Sequence, residues 1–185
     1  MDGDLIEVVL TQEEIATRVA ELGAQISLDY EGKYPLMISV LKGSVVFMSD
    51  LMRSISIDVS IDFMSASSYG TGTASAGSVK ILKDLDIPLN NRHVLVVEDI
   101  LDSGRTLSYI LELLKVRNPA SLRICALLDK PERREVEIRA DYTGFVIPNK
   151  FIVGYGLDYA EKYRNLPAIY VLDPAVYAPE DKNSV

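Results

Sequence analysis

The sequence predicts an α/β fold, a parallel central sheet with helices on both faces. Two patterns carry that prediction. Apolar runs of strand length recur at Leu36–Leu41, 94–97 and 122–128. Between them lie segments whose apolar residues return at helical spacing, such as Ile15, Val19, Leu22 and Ile26. Strands alternating with helices build a parallel sheet, because each crossover helix carries the chain back to the edge from which it left. The runs are continuously apolar, as in strands covered on both faces. With 185 residues, 48% hydrophobic and 25% charged, the chain has material for a sizeable core, so residues 1–185 are expected to form one domain.

The first helix has its start written in Thr11-Gln12-Glu13-Glu14, a capping box with Thr11 as cap and Glu14 at the third helical position. Ile15, Val19, Leu22 and Ile26 then give it one apolar face. The strand Leu36–Leu41 runs into Lys42-Gly43-Ser44, followed by an apolar helix through Leu51. Read from the residues alone, Lys42 at that loop is a surface lysine in a turn. Residues 59–64 are strand-like. The composition then changes to small residues rich in glycine over 65–78, which cannot pack a core. That stretch is a plain surface loop or, at its length, a lid. Lys80-Ile81-Leu82 returns to a strand, and Asn90-Asn91 makes a turn.

The stretch from Val94 to Leu107 organises the chain. A buried strand ends in two adjacent carboxylates, Glu98 and Asp99. The turn Asp102-Ser103-Gly104-Arg105-Thr106 follows, and Leu107, Ile110, Leu111 and Leu114 then recur as one face of a helix. Backbone N–H groups at such a helix start point outward, and the helix dipole favours an anion there. Gly104 lets the backbone approach a phosphate closely. The simplest account is a helix cap beside exposed acids. Yet acids repel a phosphate unless they hold something else, and a ligand with both phosphate and ribose hydroxyls satisfies both halves.

A further buried strand, 122–128, ends in Asp129-Lys130-Pro131, so Lys130 also sits where a strand gives way to a loop. Ligands of open α/β sheets gather at that edge. Lys130 reads the ligand there or pairs with Asp129 or Glu132 at the surface. Residues 150–159 mix apolar and aromatic side chains with two glycines. Arg164 follows a short helical run, and residues 168–172 form a last strand. Residues 1–4 and 178–185 read as frayed ends.

The formal charge of −8 argues against non-specific nucleic-acid binding, which needs Lys and Arg to neutralise phosphates. The one cysteine, Cys125, lies in an apolar run and reads as a buried strand thiol. No disulfide can form within the chain, which fits a reducing cytoplasm. No signal peptide and no apolar stretch long enough to span a membrane is found. His93, the one histidine, is expected to be structural, so no histidine-based triad can be built.

Four apolar residues, two acids, two apolar residues and then Asp-Ser-Gly-x-Thr resemble the phosphoribosyl pyrophosphate (PRPP) motif of type I phosphoribosyltransferases. Leu41-Lys42-Gly43 is similar to the pyrophosphate loop of the purine-specific members. Ser68-Tyr69 resembles the closing loop of the hypoxanthine-guanine branch, and Lys130 with residues 150–158 resembles its purine site. From about Leu5 to Tyr177 the chain resembles the short bacterial hypoxanthine-guanine phosphoribosyltransferases. The resemblance implies a small hood over the base, here from the N-terminal residues and the segment after about 140. It implies transfer of a 5-phosphoribosyl group from PRPP to N9 of hypoxanthine or guanine, giving IMP or GMP and pyrophosphate in purine salvage. Glu98 and Asp99 would hold the ribose hydroxyls, directly or through a metal, and Asp102, Ser103, Gly104, Arg105 and Thr106 the 5′-phosphate. Lys42, Gly43 and Arg164 would hold pyrophosphate, and Lys130, Phe151, Ile152 and Asp158 the purine. Magnesium would sit by Glu98, Asp99 and Asp158. Asp102 would be the catalytic carboxylate, and Ser68 and Tyr69 the lid. Relatives are homodimers or homotetramers. Arg105 stands where some relatives have lysine; the loop works through backbone N–H groups, so little changes. Two alternatives stay open: a PRPP- or nucleotide-sensing regulator, and a phosphoribosyltransferase for xanthine, orotate or uracil. Lys130 with Phe151, Ile152 and Asp158 favours a 6-oxopurine.

Overall fold

A computed structural model describes residues 3–69 and 78–178 of the chain. The main sheet has six strands. They are β2 (Leu36–Leu41), β3 (Ser60–Tyr69), β4 (Ser78–Lys83), β5 (His93–Leu101), β6 (Ser121–Asp129) and β7 (Tyr142–Val146). Their spatial order is β4-β3-β2-β5-β6-β7. All neighbours are parallel except β3 and β4, so the sheet is mixed, with one antiparallel edge. A smaller antiparallel sheet joins β1 (Leu5–Leu10), β9 (Ile169–Leu172) and β8 (Ile152–Val153) in that order.

Helices cover both faces of the main sheet, and a period of two along the strands sorts the core. Helices α1 (Gln12–Asp29) and α2 (Val45–Ser54) pack against Met37, Leu95, Val97, Cys125 and Leu127. Helix α3 (Arg105–Lys115) packs against Leu36, Ile38, Val94, Val96, Ile124 and Ala126 on the other face. Each of the four valines and leucines of 94–97 is fully buried, contributing roughly 1.5–3 kcal/mol of transfer free energy. The capping box of α1 forms as read: Glu14 N–H donates to Thr11 Oγ1 at 3.2 Å, and Thr11 N–H donates to Glu14 Oε2 at 2.8 Å. Ile15, Val19, Leu22 and Ile26 are buried along its inner face.

Three expectations are corrected. Residues 65–69 continue β3 instead of opening a loop, because β2 pairs on one side through Leu41 and Ser65 and β4 pairs on the other from Ser65 to Tyr69. Residues 70–77, the rest of the expected lid, lie outside the described residues, as do the side chains of Ser68 and Tyr69. Residues 142–146, assigned to the hood, are instead the far edge of the main sheet. Finally, the short helical run expected directly before Arg164 does not form. Residues 154–163 make two tight turns, closed by bridges between Gly154 and Leu157 and between Tyr159 and Lys162. Tyr155, Ala160, Glu161 and Tyr163 take positive φ there, so the chain reverses too sharply for a helix.

Candidate active site

Glu98 and Asp99 lie within β5, which continues to Leu101 rather than ending before them. Both carboxyls are half-buried at the carboxyl end of the sheet. Burial pushes the Glu98 pKa well above its ordinary value, and the neighbouring Asp99 charge adds to this. Burial also raises Asp99 to about 6. N–H donors and the Arg164 charge hold it down in part, while Asp158 pushes it up. One donor is Ile100 N–H, at 2.8 Å from Asp99 Oδ1. Beyond the strand, Gly104 takes φ 81°, a left-handed conformation that admits glycine, and caps α3. Residues 98–104, Thr106 and Leu107 share a cleft of about 300 Å³ with Val40, Leu41, Lys42, Gly43 and Ala66.

The turn after β2 comes to this cleft by direct contact. A Cβ on Gly43 would fall 1.8 Å from Asp99 Oδ2, so the carboxyl occupies the space a side chain would take. Gly156, at φ +98°, sits equally close: its Cβ would meet Gly43 O at 2.1 Å. Arg164 holds this corner. Its Nη1 donates to Gly156 O at 2.8 Å, and its Nη2 pairs with Asp158 Oδ1 at 2.8 Å. Glu161 joins it at 3.4 Å and also receives the Lys42 ammonium at 3.1 Å. Lys42, Gly43, Asp158 and Arg164 therefore gather beside Asp99.

Lys130 is 6% exposed, and its ammonium donates to Lys150 O at 2.6 Å. It does not pair with Asp129, whose carboxylate binds Arg134. Burial pushes the Lys130 pKa down; the Asp102 charge acts against that, and Arg133 adds to it. The contact with Lys150 brings Lys130 beside Phe151 and Ile152 at the start of β8. The Phe151 ring stacks on Tyr177 at 4.7 Å and meets Tyr159 edge-on at 5.8 Å. Asp102 Oδ1 accepts from Arg133 Nε at 3.2 Å in an exposed pair. Arg105 forms an ion pair with Glu135.

Sequence reading missed several of these partners. Tyr159 and Tyr177 back the Phe151 ring, Glu161 bridges Lys42 and Arg164, and Arg134 binds the loop after β5. Only the aromatic spacing around residue 159 offered a signal; the others depend on distant segments meeting. His93 is tied down structurally, with Nδ1 at 2.8 Å from Ser121 Oγ. Cys125 is buried, and burial drives its thiol pKa far up, against reactivity. A larger cavity of 510 Å³ opens between α1, α2 and the turn from Arg164 to Pro167, but it contains neither the acid pair nor the anion loop. Among the described residues no three metal-ligating side chains cluster, and no helix is long and apolar enough to cross a membrane.

The chain matches the family model of the phosphoribosyl transferase domain over residues 6–160. It is 52% identical over 177 residues to the hypoxanthine-guanine phosphoribosyltransferase of Bacillus subtilis (strain 168), covering 96% of this chain and 98% of that one. The same level of identity, 52% over 96% of the chain, is found to the bifunctional protein TilS/HprT of Listeria monocytogenes, but there the match spans 28% of the relative's length. Among solved structures, a hypoxanthine phosphoribosyltransferase from Staphylococcus aureus superposes with a TM-score of 0.93 at 53% identity, covering 97% of each chain.

Proposed function

Since this chain belongs to the phosphoribosyl transferase domain family, we propose that it makes IMP or GMP by moving the 5-phosphoribosyl group of PRPP to N9 of hypoxanthine or guanine, a purine-salvage reaction. The observation that carries the reading is the 300 Å³ cleft, where the acid pair, the turn at Gly43 and the anion loop share one space. A ligand spanning it has ribose hydroxyls for Glu98 and Asp99, a 5′-phosphate for residues 102–106, and a pyrophosphate for Lys42, Gly43 and Arg164. Chain N–H groups at the start of α3 receive the 5′-phosphate with the favourable end of the helix dipole.

Lys130 faces the purine side. A 6-oxopurine presents an acceptor at C6, adenine an amino donor; an ammonium has only donors to offer. Phe151 lies against the ring, with Tyr177 behind it. The Ile152 backbone and Asp158 serve the base edge. As the N9–C1′ bond forms and the C1′–O bond to pyrophosphate breaks, Asp102 accepts the proton from N7. For this it must leave the exposed pair with Arg133. Water competes for a cationic sugar carbon, so closure over the cleft is useful. Ala66 of β3 already lines the cleft, which supports Ser68 and Tyr69, farther along that strand, as the lid; wild-type activity of Tyr69→Ala would remove them from that role.

Magnesium fits the donor set. Glu98 and Asp99 offer adjacent hard carboxylate oxygens at the cleft, and magnesium commonly takes one or two carboxylates plus substrate phosphates. When bound, the ion would offset the charge of PRPP and pyrophosphate, with Asp158 beside the pair. A homodimer or homotetramer in the cytoplasm completes the proposal; a monomer by sedimentation equilibrium would remove the first part. The central test is a substrate panel with PRPP and magnesium. Turnover of hypoxanthine or guanine, with adenine, orotate and uracil inert, is expected. Turnover of another base alone, or none, would overturn the reading.

A further inference from the structure

We infer that Arg134 is the positioning residue of the phosphate loop, acting through the backbone carbonyls of Leu101 and Asp102; the inference rests on the phosphoribosyl-transfer reading above. Arg134 lies in the strap that follows β6, three residues after the Pro131 at which the chain turns. Its side chain is 15% exposed. Nη1 donates to Leu101 O at 3.1 Å and to Asp102 O at 2.6 Å, while Nη2 binds the Asp129 carboxylate. The strap adds two backbone bonds of its own: Lys130 N–H to Leu101 O at 3.0 Å and Glu135 N–H to Ser103 O at 3.0 Å. Three consecutive carbonyls, of Leu101, Asp102 and Ser103, are thus held against the strap.

The consequence follows from the planar trans peptide. The C=O of one residue and the N–H of the next belong to one rigid plane and point to opposite sides. Holding the carbonyls of Leu101, Asp102 and Ser103 on the strap turns the N–H groups of Asp102, Ser103 and Gly104 the other way. Those residues line the cleft. Among the described residues no protein oxygen accepts from these N–H groups. Without Arg134, the Asp102 carbonyl loses the one donor it has among the described residues and the peptide is free to flip, which would present an oxygen to the 5′-phosphate instead of a donor. Arginine suits the task because its rigid fork serves a carboxylate and two carbonyls at once. Sequence reading cannot reach this residue: Arg134 lies in the highly charged stretch 132–139, which reads as a solvated surface.

The test compares Arg134→Gln with Asp129→Asn. Ribose 5-phosphate affinity is measured by calorimetry, beside steady-state KM values for PRPP and hypoxanthine and the thermal midpoint. Arg134→Gln should weaken ribose 5-phosphate at least tenfold and raise the PRPP KM to match, with the hypoxanthine KM within threefold of wild type. Asp129→Asn keeps both carbonyl bonds and should leave ribose 5-phosphate affinity within threefold. Wild-type affinity in Arg134→Gln, or equal losses in both variants, overturns the inference. If Arg134→Gln does not fold, Arg134→Lys carries the test: it keeps the charge, loses the fork, and must still weaken ribose 5-phosphate at least threefold. A wild-type enzyme that binds ribose 5-phosphate yet makes no nucleotide would refute the transfer reading and leave this comparison intact.

Discussion

Asp99→Asn should make the ligand-free protein more stable while abolishing its activity. In the fold, burial raises the Asp99 pKa from its ordinary value of 3.8 to about 6. A raised carboxyl pKa means that the native state holds its proton where the unfolded chain has released it. Stability therefore falls as pH rises through the window from about 4 to 6, and the full penalty is present above it. Over that window the difference amounts to about 3 kcal/mol, an upper figure because the carboxyl is not wholly enclosed. Asparagine removes the charge, keeps the shape and still accepts from Ile100 N–H. For a domain of this size about 3 kcal/mol corresponds to a gain of roughly 6–12 °C in Tm. Calorimetry in chelator, from pH 4 to 8, reads the effect. The gain should be greatest at pH 7–8 and vanish near pH 4, and PRPP turnover should be lost. No gain at pH 7.5, or the same gain at pH 4, would refute the account of Asp99 as a charge held at a cost for a ligand.

Three further substitutions bear on separate parts of the site. Asp102→Asn should lower kcat by about 10²–10⁴-fold and leave the KM for PRPP nearly unchanged, since it removes the proposed proton acceptor and keeps the loop backbone; unchanged kcat would take Asp102 out of the chemistry. Lys130→Gln should sharply lower kcat/KM for hypoxanthine and guanine and erode a preference over adenine that a donor–donor mismatch can raise to about 10⁴-fold; discrimination held at the wild-type level would require another residue to read the oxo group. Gly43→Ala should cost about 1–3 kcal/mol in urea unfolding, because its Cβ must displace Asp99, and should weaken pyrophosphate in the reverse reaction; a variant that matches wild type in both would show that the turn yields freely.

Much of the fold was legible because the strands are apolar on both faces. Val94 and Val96 meet α3 while Leu95 and Val97 meet α1 and α2, an arrangement that a continuous run implies. The capping box at Thr11 and the turn at Gly104 that opens α3 were legible because their partners lie within a few residues. The strand character of residues 65–69 was not, since Ser and Ala have little propensity for strands and are held there by pairing with β4, with β2 reaching only Ser65. The turns before Arg164 were also hidden. Tyr155, Ala160, Glu161 and Tyr163 adopt positive φ without the glycine or asparagine that would announce it.

The candidate site divides along the same line. Its chemistry is local in sequence, with acids, loop and lysines each at a strand end, but its assembly is not. Asp99, Gly43 and Gly156 form a stack in which each contact requires the absence of a side chain: Asp99 fills the place of a Gly43 Cβ, and the Gly43 carbonyl fills the place of a Gly156 Cβ. The stack joins the main sheet, the turn after β2 and the segment that leads from β8 to β9. Arg164 secures the third member through Gly156 O, and its charge lowers the pKa of Asp99, the first. A glycine at 43 and another at 156 look like ordinary turn residues when read singly. Together they let the turn after β2, the Asp99 carboxyl and the Arg164 corner approach within van der Waals distance. On this geometry a bulkier residue at either position would separate parts of one ligand site before it unfolded either sheet.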